Sequence, residues 1–288
     1  MDLRVLRYFV VIATEENITK AAELLHITQP TLSRQIMALE EEVGAALFNR
    51  KNHSISLTDA GRLFLCRASE IQELAERSKK EIAVHKNLSG TLALGAGEYG
   101  SSEDLAKLLC SFQKKYPDVE LQVFEGNADS IKEKIEQGLL DFGHLTEPVE
   151  VLKYDYLRFP RAEEFGVFVN SKSPLARLKF ITPADCVKEP LVISSRLLVQ
   201  KEIKSWLGTF AEEVKISATV NLPFHSIQLV RQGSGIAFTL KRNEVFEGVK
   251  FLTLEPKLPI RTILVWKKNQ ILSPVATAFL EFVKGSME

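Results

Sequence analysis

The first 43 residues constrain the fold most, because three helical patterns follow one another with almost no chain between them. Apolar residues recur at helical spacing over about residues 3–15 and predict a first amphipathic helix. Thr19 is placed to cap a second helix over residues 20–26, and Thr28 is placed to cap a third helix. Only residues 27–29 separate the second helix from the third. So tight a pair of helices predicts a helix-turn-helix unit.

The third helix is predicted to have one buried face and one exposed polar face. Leu32, Ile36, Leu39 and Val43 form the predicted buried stripe. The outer face carries Thr31, Arg34, Gln35 and Ala38, with Ser33 at its edge. Gly44 is expected to end the helix, because glycine accepts the left-handed conformation at a helix C-terminus.

Two further elements follow the helix-turn-helix. Extended pieces over residues 46–50 and 54–57 predict a small β-wing, and Thr58 is placed to cap a helix from residue 59 to about 86. Along that helix a heptad seam runs through Phe64, Ala68, Ile71, Ala75, Ser78 and Ile82. A narrow seam flanked by charge favours pairing with a second copy of the helix. The alternative is an ordinary amphipathic helix that packs on its own domain.

Strand and helix patterns alternate in the remainder of the chain, after a linker at residues 87–90. The predicted strands lie near residues 91–96, 119–125, 141–145, 165–169, 191–194, 215–220, 236–240 and 261–267. This rhythm predicts two α/β lobes with a ligand cleft between them. The fold class is therefore α/β with an N-terminal winged helix-turn-helix. The expected domains are 1–58 for the winged unit, 59–87 for the linker helix and 88–288 for the lobes. Lobe 1 is expected over about 91–161 and 267–288, and lobe 2 over about 162–266.

Charge alone does not draw this chain to nucleic acid. The 37 basic and 37 acidic residues cancel, and residues 1–58 hold six basic against seven acidic side chains. Glu40, Glu41 and Glu42 are expected at the far end of the third helix, away from any DNA groove. Modest intrinsic affinity for DNA follows, so pairing of two copies is needed for tight binding.

The outer face of the third helix nevertheless carries groups that suit the major groove. An amide such as Gln29 can bond bidentately to adenine and a guanidinium such as Arg34 to guanine, while Thr31 and Ser33 suit bases or phosphate. On the wing, residues placed for backbone phosphates are Arg50, Lys51 and His53. The alternative is a generic three-helix bundle with a solvated polar face.

A resemblance to a known family favours the DNA-binding interpretation. The chain closely resembles the LysR-type transcriptional regulators over residues 21–36 (AAELLHITQPTLSRQI), 39–44 (LEEEVG), 47–48 (LF), Arg50 and 57–61 (LTDAG). Its length, long linker helix and two-lobed C-terminal part fit as well. The resemblance implies a winged helix-turn-helix, a binding-protein-like domain whose cleft takes a small-molecule co-inducer, and control of nearby genes. Its positions for contact with double-stranded DNA match Gln29, Pro30, Thr31, Ser33, Arg34 and Arg50. Thr28 is a further candidate for DNA contact.

The resemblance also implies partners: homodimers through the linker helix, tetramers built from them, and RNA polymerase where the regulator activates. Its effector pocket includes the turn after the first strand of lobe 1. Many relatives have Ser or Thr where Gly97 and Tyr99 stand, so we hypothesise that Glu98 and Tyr99 narrow the pocket or favour a ligand with a donor or cationic group. The alternative places Glu98 in solvent.

The remaining candidates for the effector site lie in several turns of both lobes. They are Ser101, Ser102, Asn127, Thr146, Ser194, Ser195, Arg196 and His225. Arg196 is the best candidate for charge recognition, with a surface salt bridge as the alternative, and His225 has the alternative role of capping its helix.

Several other functions are disfavoured by the sequence. The three cysteines form no CxxC pair, the five histidines form no metal spacing, and residues 141–143 spell DFG without any other kinase motif. We expect no enzyme activity, catalytic residue, metal or cofactor besides the co-inducer. The short apolar run at residues 8–13 lacks a cleavage site, and nothing reaches the length of a membrane span, so a cytoplasmic protein without membrane contact is expected. The rival functions are a small-ligand-binding protein or an enzyme on the same two-lobed fold.

Overall fold

The computed structural model describes residues 1–51, 54–82, 88–97, 101–242 and 244–287, which divide into the units Met1–Val84 and His85–Glu288. In the first unit, helices α1 (Leu3–Glu15), α2 (Ile18–Leu24) and α3 (Gln29–Val43) surround one apolar core. Their buried side chains include Phe9, Ile12, Leu32, Ile36 and Leu39. The predicted helices are present because each contributes an apolar face to this core.

Two details of the predicted helices are wrong. Asn17, rather than Thr19, caps α2, because its Oδ1 accepts hydrogen bonds from the backbone N–H groups of Thr19 and Lys20, both at 3.0 Å. Val43, predicted to be buried, is 39% exposed, since it is the last residue of α3. The chain turns there through Gly44, which has a φ of 74° and is the predicted left-handed end of the helix.

A two-stranded antiparallel wing follows α3. Strand β1 (Phe48–Lys51) pairs with β2 (Ser54–Leu57), with Phe48 opposite Leu57. The strand begins two residues later than position 46, because the amides of Leu47 and Phe48 donate to Glu40.

The long helix α4 (Asp59–Ile82) begins as predicted, with Thr58 Oγ1 accepting the backbone N–H of Gly61 at 2.9 Å. Its first turns belong to the N-terminal core: Phe64 packs on Phe9 with ring centroids 5.0 Å apart, and Ala68 is fully buried. Among the side chains of this helix that the structure describes, the large apolar ones that remain exposed are Leu63, Ile71 and Leu74. The predicted seam is therefore divided, because its start packs on α1 while Ile71 remains accessible. The predicted end of the helix near residue 86 lies outside the described residues.

In the second unit, lobe 1 begins with a parallel sheet. Strands β3 (Gly90–Ala96), β4 (Val119–Glu125) and β5 (Phe142–Thr146) are connected by α5 (Ser102–Lys115) and α6 (Ala128–Glu136). The 17-residue strand β6 (Tyr154–Asn170) then runs out of lobe 1 into lobe 2. Only the second half of β6 was predicted as a strand.

The remaining elements complete lobe 2, and the last strand and the last helix return to lobe 1. They are β7 (Phe180–Ile181), β8 (Leu191–Ser194), α7 (Leu197–Leu207), β9 (Ile216–Val220), α8 (Pro223–Arg231), β10 (Ile236–Leu240), β11 (Val249–Leu254), β12 (Pro259–Lys267) and α9 (Pro274–Met287). Strand order is β4-β3-β5-β12-β6-β10-β8-β9, with β11 also paired to β6. The α/β fold class is thereby confirmed, with a mixed sheet because β6 and β12 run antiparallel to their neighbours.

The return from lobe 2 to lobe 1 occurs earlier than the expected position 267. Strand β12 pairs with β5 from Thr262 opposite Thr146 to Val265 opposite Gly143, so its hydrogen bonds belong to lobe 1. The sequence assigned this strand to lobe 2 by its order along the chain, whereas its partner is distant in sequence. Within the described part of the chain, no helix is both long enough and apolar enough to span a bilayer.

Candidate DNA-binding surface and effector cleft

The N-terminal half of α3 presents polar side chains to solvent. Leu32 and Ile36 are fully buried, so the opposite side of this part of the helix faces outward. The exposed residues are Thr28, Gln29, Pro30, Thr31 and Arg34, and Ser33 is half-buried. This is the arrangement that sequence periodicity predicts for the outer face.

Local hydrogen bonds hold these side chains on the same face of the helix. Gln29 Nε2 donates to Ser33 Oγ at 3.0 Å, and Arg34 Nε donates to the carbonyl of Pro30 at 3.4 Å. Thr28 occupies the cap position of α3 but makes no side-chain capping bond. Its hydroxyl instead lies 2.8 Å from the hydroxyl of Thr31. An amide and a guanidinium held on one face can read adenine and guanine edges in a major groove.

The wing supplies the second set of predicted DNA contacts. The backbones of Arg50 and Lys51 lie on β1, opposite Ile55 and Ser54 respectively. The side chains of both basic residues, and the whole of His53, fall outside the described residues, so their contacts with phosphate stay a prediction.

Glu40 connects the end of α3 to the wing. Its Oε1 accepts hydrogen bonds from the backbone N–H groups of Leu47 at 2.8 Å and Phe48 at 3.0 Å, both partly buried. Glu42 pairs with the N-terminal amine of Met1. The sequence analysis placed the glutamates at the far end of the helix but did not find these contacts, because a Glu-rich run carries no signal that one member bonds a later backbone segment.

The second unit contains a cavity between its lobes, with about 660 Å³ of empty space that is partly open to solvent. Of the predicted effector residues, Gly97, Asn127, Thr146, Ser194 and Arg196 line it. Lining residues that the sequence analysis did not assign to the site are Ala128, Phe165, Val199, Val220, Asn221, Leu222, Pro223, Ser226, Phe238, Thr239 and Leu240. Most of these are apolar and resemble core residues in sequence, so no motif could have separated them from the core.

The starts of two helices face this cavity. Asn127 caps α6 by accepting from the N–H groups of Asp129 at 3.0 Å and Ser130 at 2.9 Å. Pro223 opens α8, and the buried hydroxyl of Ser226 donates to the Pro223 carbonyl at 2.5 Å. The positive end of a helix dipole favours a ligand with electron-rich atoms.

Arg196 crosses the cavity from lobe 2 to lobe 1. Its Nη1 donates to Thr146 Oγ1 at 3.1 Å and its Nη2 donates to the Pro148 carbonyl at 2.8 Å. Its own backbone N–H donates to Ser194 Oγ at 3.2 Å. These contacts differ from the surface salt bridge that was the alternative interpretation of this residue.

Other predicted effector residues lie elsewhere. Ser195 and His225 are exposed and are not among the cavity-lining residues. Ser102 is half-buried and its hydroxyl donates to the Gly97 carbonyl at 3.3 Å. Glu98 and Tyr99 fall outside the described residues, so the hypothesis that they narrow the pocket stays a prediction.

Ser101 belongs to a buried polar cluster within this unit. Its hydroxyl lies 3.3 Å from both His144 Nε2 and Thr262 Oγ1, and its backbone N–H donates to Glu163 Oε1 at 2.7 Å. Burial lowers the pKa of His144 to about 3, so its imidazole is neutral at physiological pH. Ser101 and His144 are 1% and 0% exposed, so a substrate cannot reach this serine–histidine pair. Among the described residues, no group of three or more histidine, cysteine or acidic side chains could hold a metal ion.

Comparison with known proteins gives matches to both units. The family of bacterial regulatory helix-turn-helix proteins, lysR family, matches residues 3–62, and the LysR substrate binding domain matches residues 85–288. The hca operon transcriptional activator HcaR of Escherichia coli is 31% identical, with 99% of this chain and 97% of HcaR covered. An uncharacterised HTH-type transcriptional regulator of Bacillus subtilis, YvbU, is 30% identical over 99% of this chain and 98% of its own length.

Solved structures of full-length regulators share the fold. The crystal structure of full-length CbnR complexed with its target DNA has 24% identity and a TM-score of 0.76, covering 99% of this chain and 100% of that one. A crystal structure of CbnR described as a LysR family transcriptional regulator has 22% identity and a TM-score of 0.77, with 100% of both chains covered.

Proposed function

This chain belongs to the LysR family of DNA-binding transcriptional regulators with an effector-binding domain, and we propose that it reads DNA through the exposed N-terminal half of α3. The observation that carries the proposal is the arrangement of Gln29 and Arg34, which are exposed and held on the outer face of α3 by bonds within that helix. Thr28, Thr31 and Ser33 supply hydroxyls beside them for bases or phosphate. Arg50, Lys51 and His53 on the wing would contact the backbone.

The proposal includes oligomerisation through α4. Leu63, Ile71 and Leu74 leave apolar side chains exposed along α4, and burying them against a second copy of the helix would remove them from water. Two winged helix-turn-helix units that bind one DNA site together compensate for the weak local charge of each unit. A tetramer built from such dimers, contact with RNA polymerase where transcription is activated, and action in the cytoplasm belong to the same proposal.

A small molecule bound between the lobes would control the regulator. Asn127, Thr146, Ser194 and Arg196 contribute polar groups to a cavity that is otherwise mainly apolar, which is the usual composition of a small-ligand site. Binding that favours one arrangement of the lobes would shift the population of DNA-bound states.

The DNA-binding half of the proposal is tested by a mobility shift with the DNA upstream of the protein's own gene. Q29A and R34A should each weaken specific binding by about 5- to 150-fold, which corresponds to one lost bidentate base contact. E41A is the matched control, because Glu41 is exposed at the opposite end of α3. The assignment would be wrong if Q29A and R34A proteins shifted the fragment as well as the wild type.

The effector half is tested by thermal unfolding of the full chain with a panel of metabolites. A ligand that binds in the cleft should raise the midpoint temperature of unfolding, since it binds only the folded state. N127A should reduce that rise, because it removes the cap that orders the cavity end of α6. A stabilising ligand whose effect is unchanged by substitutions at Asn127 and Ser194 would place its site outside the cleft.

A further inference from the structure

Arg196 joins two lobes through a side chain that begins on one and ends on the other. It precedes α7 in lobe 2, and the Ser194 hydroxyl holds its backbone N–H. Both acceptors of its guanidinium lie in lobe 1, where Thr146 ends β5 and Pro148 follows it. These two bonds are therefore contacts between lobes, and breaking them would release one lobe from the other at this point.

The charge of Arg196 is the second observation. The side chain is half-buried, and both recorded acceptors, a hydroxyl and a carbonyl, are neutral. A guanidinium carries a planar fork of N–H donors that matches a carboxylate and often binds it through two parallel bonds, in which both partners are charged. An anion entering the cavity would therefore compete successfully for the guanidinium.

The position of the guanidinium is the third observation. A smaller pocket, called the hinge pocket, lies between the lobes and has about 280 Å³ of empty space, part of it open to solvent. It is lined by Thr146, Glu147, Pro148, Phe165, Val199, Glu202, Leu240, Leu258 and Ile260. Thr146 lines both the hinge pocket and the main cavity, whereas Pro148 lines only the hinge pocket and Arg196 only the main cavity. The guanidinium consequently lies at the boundary between a cavity with polar groups and a mostly apolar pocket.

We propose that Arg196 is a latch between the lobes that an organic anion opens. The anionic group takes the guanidinium away from Thr146 and Pro148, and the apolar part of the same molecule then occupies the hinge pocket. This proposal rests on the proposed effector site and names its ligand class, a small organic acid with an apolar body. It also gives the physical link between occupancy and lobe movement, because the bonds that the ligand replaces are contacts between lobes.

The test uses the straight-chain alkanoates from acetate to octanoate and their primary amides, titrated calorimetrically into the full-length protein. Affinity for the carboxylates should rise about fourfold per methylene until the hinge pocket is full. The amides should bind at least tenfold more weakly, since they lack the charge. R196Q should abolish the preference for carboxylate over amide, whereas R161Q should keep it, because Arg161 is exposed and its recorded ion pair is a 3.9 Å contact with Asp104.

A second set of measurements examines the two bonds of the latch. T146V removes one latch bond and should tighten alkanoate binding by about two- to tenfold, the value of one neutral hydrogen bond that no longer competes. Hydrogen exchange of the backbone at residues 147–153 should be faster in R196Q than in wild type and unchanged in R161Q. A purely structural role for Arg196 would not remove the discrimination between carboxylate and amide.

The outcomes separate this proposal from the proposed effector site. If N127A weakens alkanoate binding while R196Q leaves both binding and discrimination intact, the cleft is the effector site and the latch is wrong. If no alkanoate binds the wild type, the ligand class is wrong, while the metabolite panel still tests the cleft. Binding indifferent to both N127A and R196Q overturns the latch and the cleft site together. Tight alkanoate binding that needs Arg196 would support the latch and contradict the expectation that Glu98 and Tyr99 select a cationic or donor group.

Discussion

Replacing Glu40 with alanine should loosen the wing from α3 while leaving the three-helix core in place. The Glu40 carboxylate accepts two backbone N–H groups, at 2.8 and 3.0 Å, and both of these donors are partly buried. A hydrogen bond to a charged group contributes about 1.5–3 kcal/mol. Because water can reach part of this site and replace some of the lost bonding, E40A should lower the free energy of unfolding by about 2–4 kcal/mol. E40Q keeps an oxygen acceptor and should lose about half as much.

The effect on DNA binding distinguishes a positioned wing from a merely stable one. The logarithm of the DNA-binding constant falls linearly with the logarithm of the salt concentration, with a slope of about −0.9 for each phosphate contact. If Arg50 and Lys51 each contact one phosphate, E40A should flatten the salt dependence by up to about 1.8 units, because the wing no longer holds them in place. E41Q should keep the wild-type slope, since Glu41 is exposed.

The assay is fluorescence anisotropy with a labelled duplex from the upstream region, repeated over a range of salt concentrations, together with urea unfolding. The reasoning would be refuted by an E40A protein that keeps both the wild-type salt slope and the wild-type unfolding free energy. It would also be refuted by an E41Q protein that loses as much slope as E40A.

Three further predictions concern stability and are all checked by urea unfolding. N17A should cost about 1 kcal/mol because it removes the cap of α2, whereas T19A should cost clearly less; equal losses would reverse the cap assignment. F9A should cost about 3–5 kcal/mol, since the fully buried Phe9 packs on Phe48 and Phe64, and a loss under 1 kcal/mol would contradict that packing. Burial lowers the folded-state pKa of His144 to about 3, below the ordinary histidine value of 6.5. Its contribution to the free energy of unfolding is therefore complete above pH 6.5 and is lost as the pH falls toward 3. H144N should therefore remove a pH dependence of up to about 1.4 kcal/mol per pH unit in that window, and equal slopes in H144N and wild type would contradict it.

The winged helix-turn-helix is the part that sequence reasoning predicted best. Its helices are set by apolar spacing and by glycine at a helix end, and these signals operate within a few residues of one another. Gly44 and the outer face around Arg34 lie where the sequence places them. The errors are also local: Asn17 and Thr19 both suit a helix cap, and only the backbone conformation selects Asn17.

The effector cleft was predicted as a location, but most of its walls were not. Asn127, Thr146, Ser194 and Arg196 were found because they follow strands or open helices. Phe165, Ser226 and Thr239 were missed, since they line the cavity only after β6, α8 and β10 meet. Ser195 and His225 show the converse, because a turn position does not specify the direction of a side chain.

The sequence by itself determined the winged helix-turn-helix unit, the order of the domains and the two-lobed α/β class. Each of these follows from local periodicity, from capping and turn residues, or from a family pattern. Only the tertiary structure decided that Glu40 holds the wing, that β12 returns to lobe 1 beside β5, and that Arg196 bonds Thr146 and Pro148 across the lobes. Most of these contacts join residues far apart in the chain, and their free energy depends on distance and burial. No local spacing encodes either quantity, so the exposed polar face of α3 is visible in the sequence, while the bonds of Arg196 across the lobes are visible only in the fold.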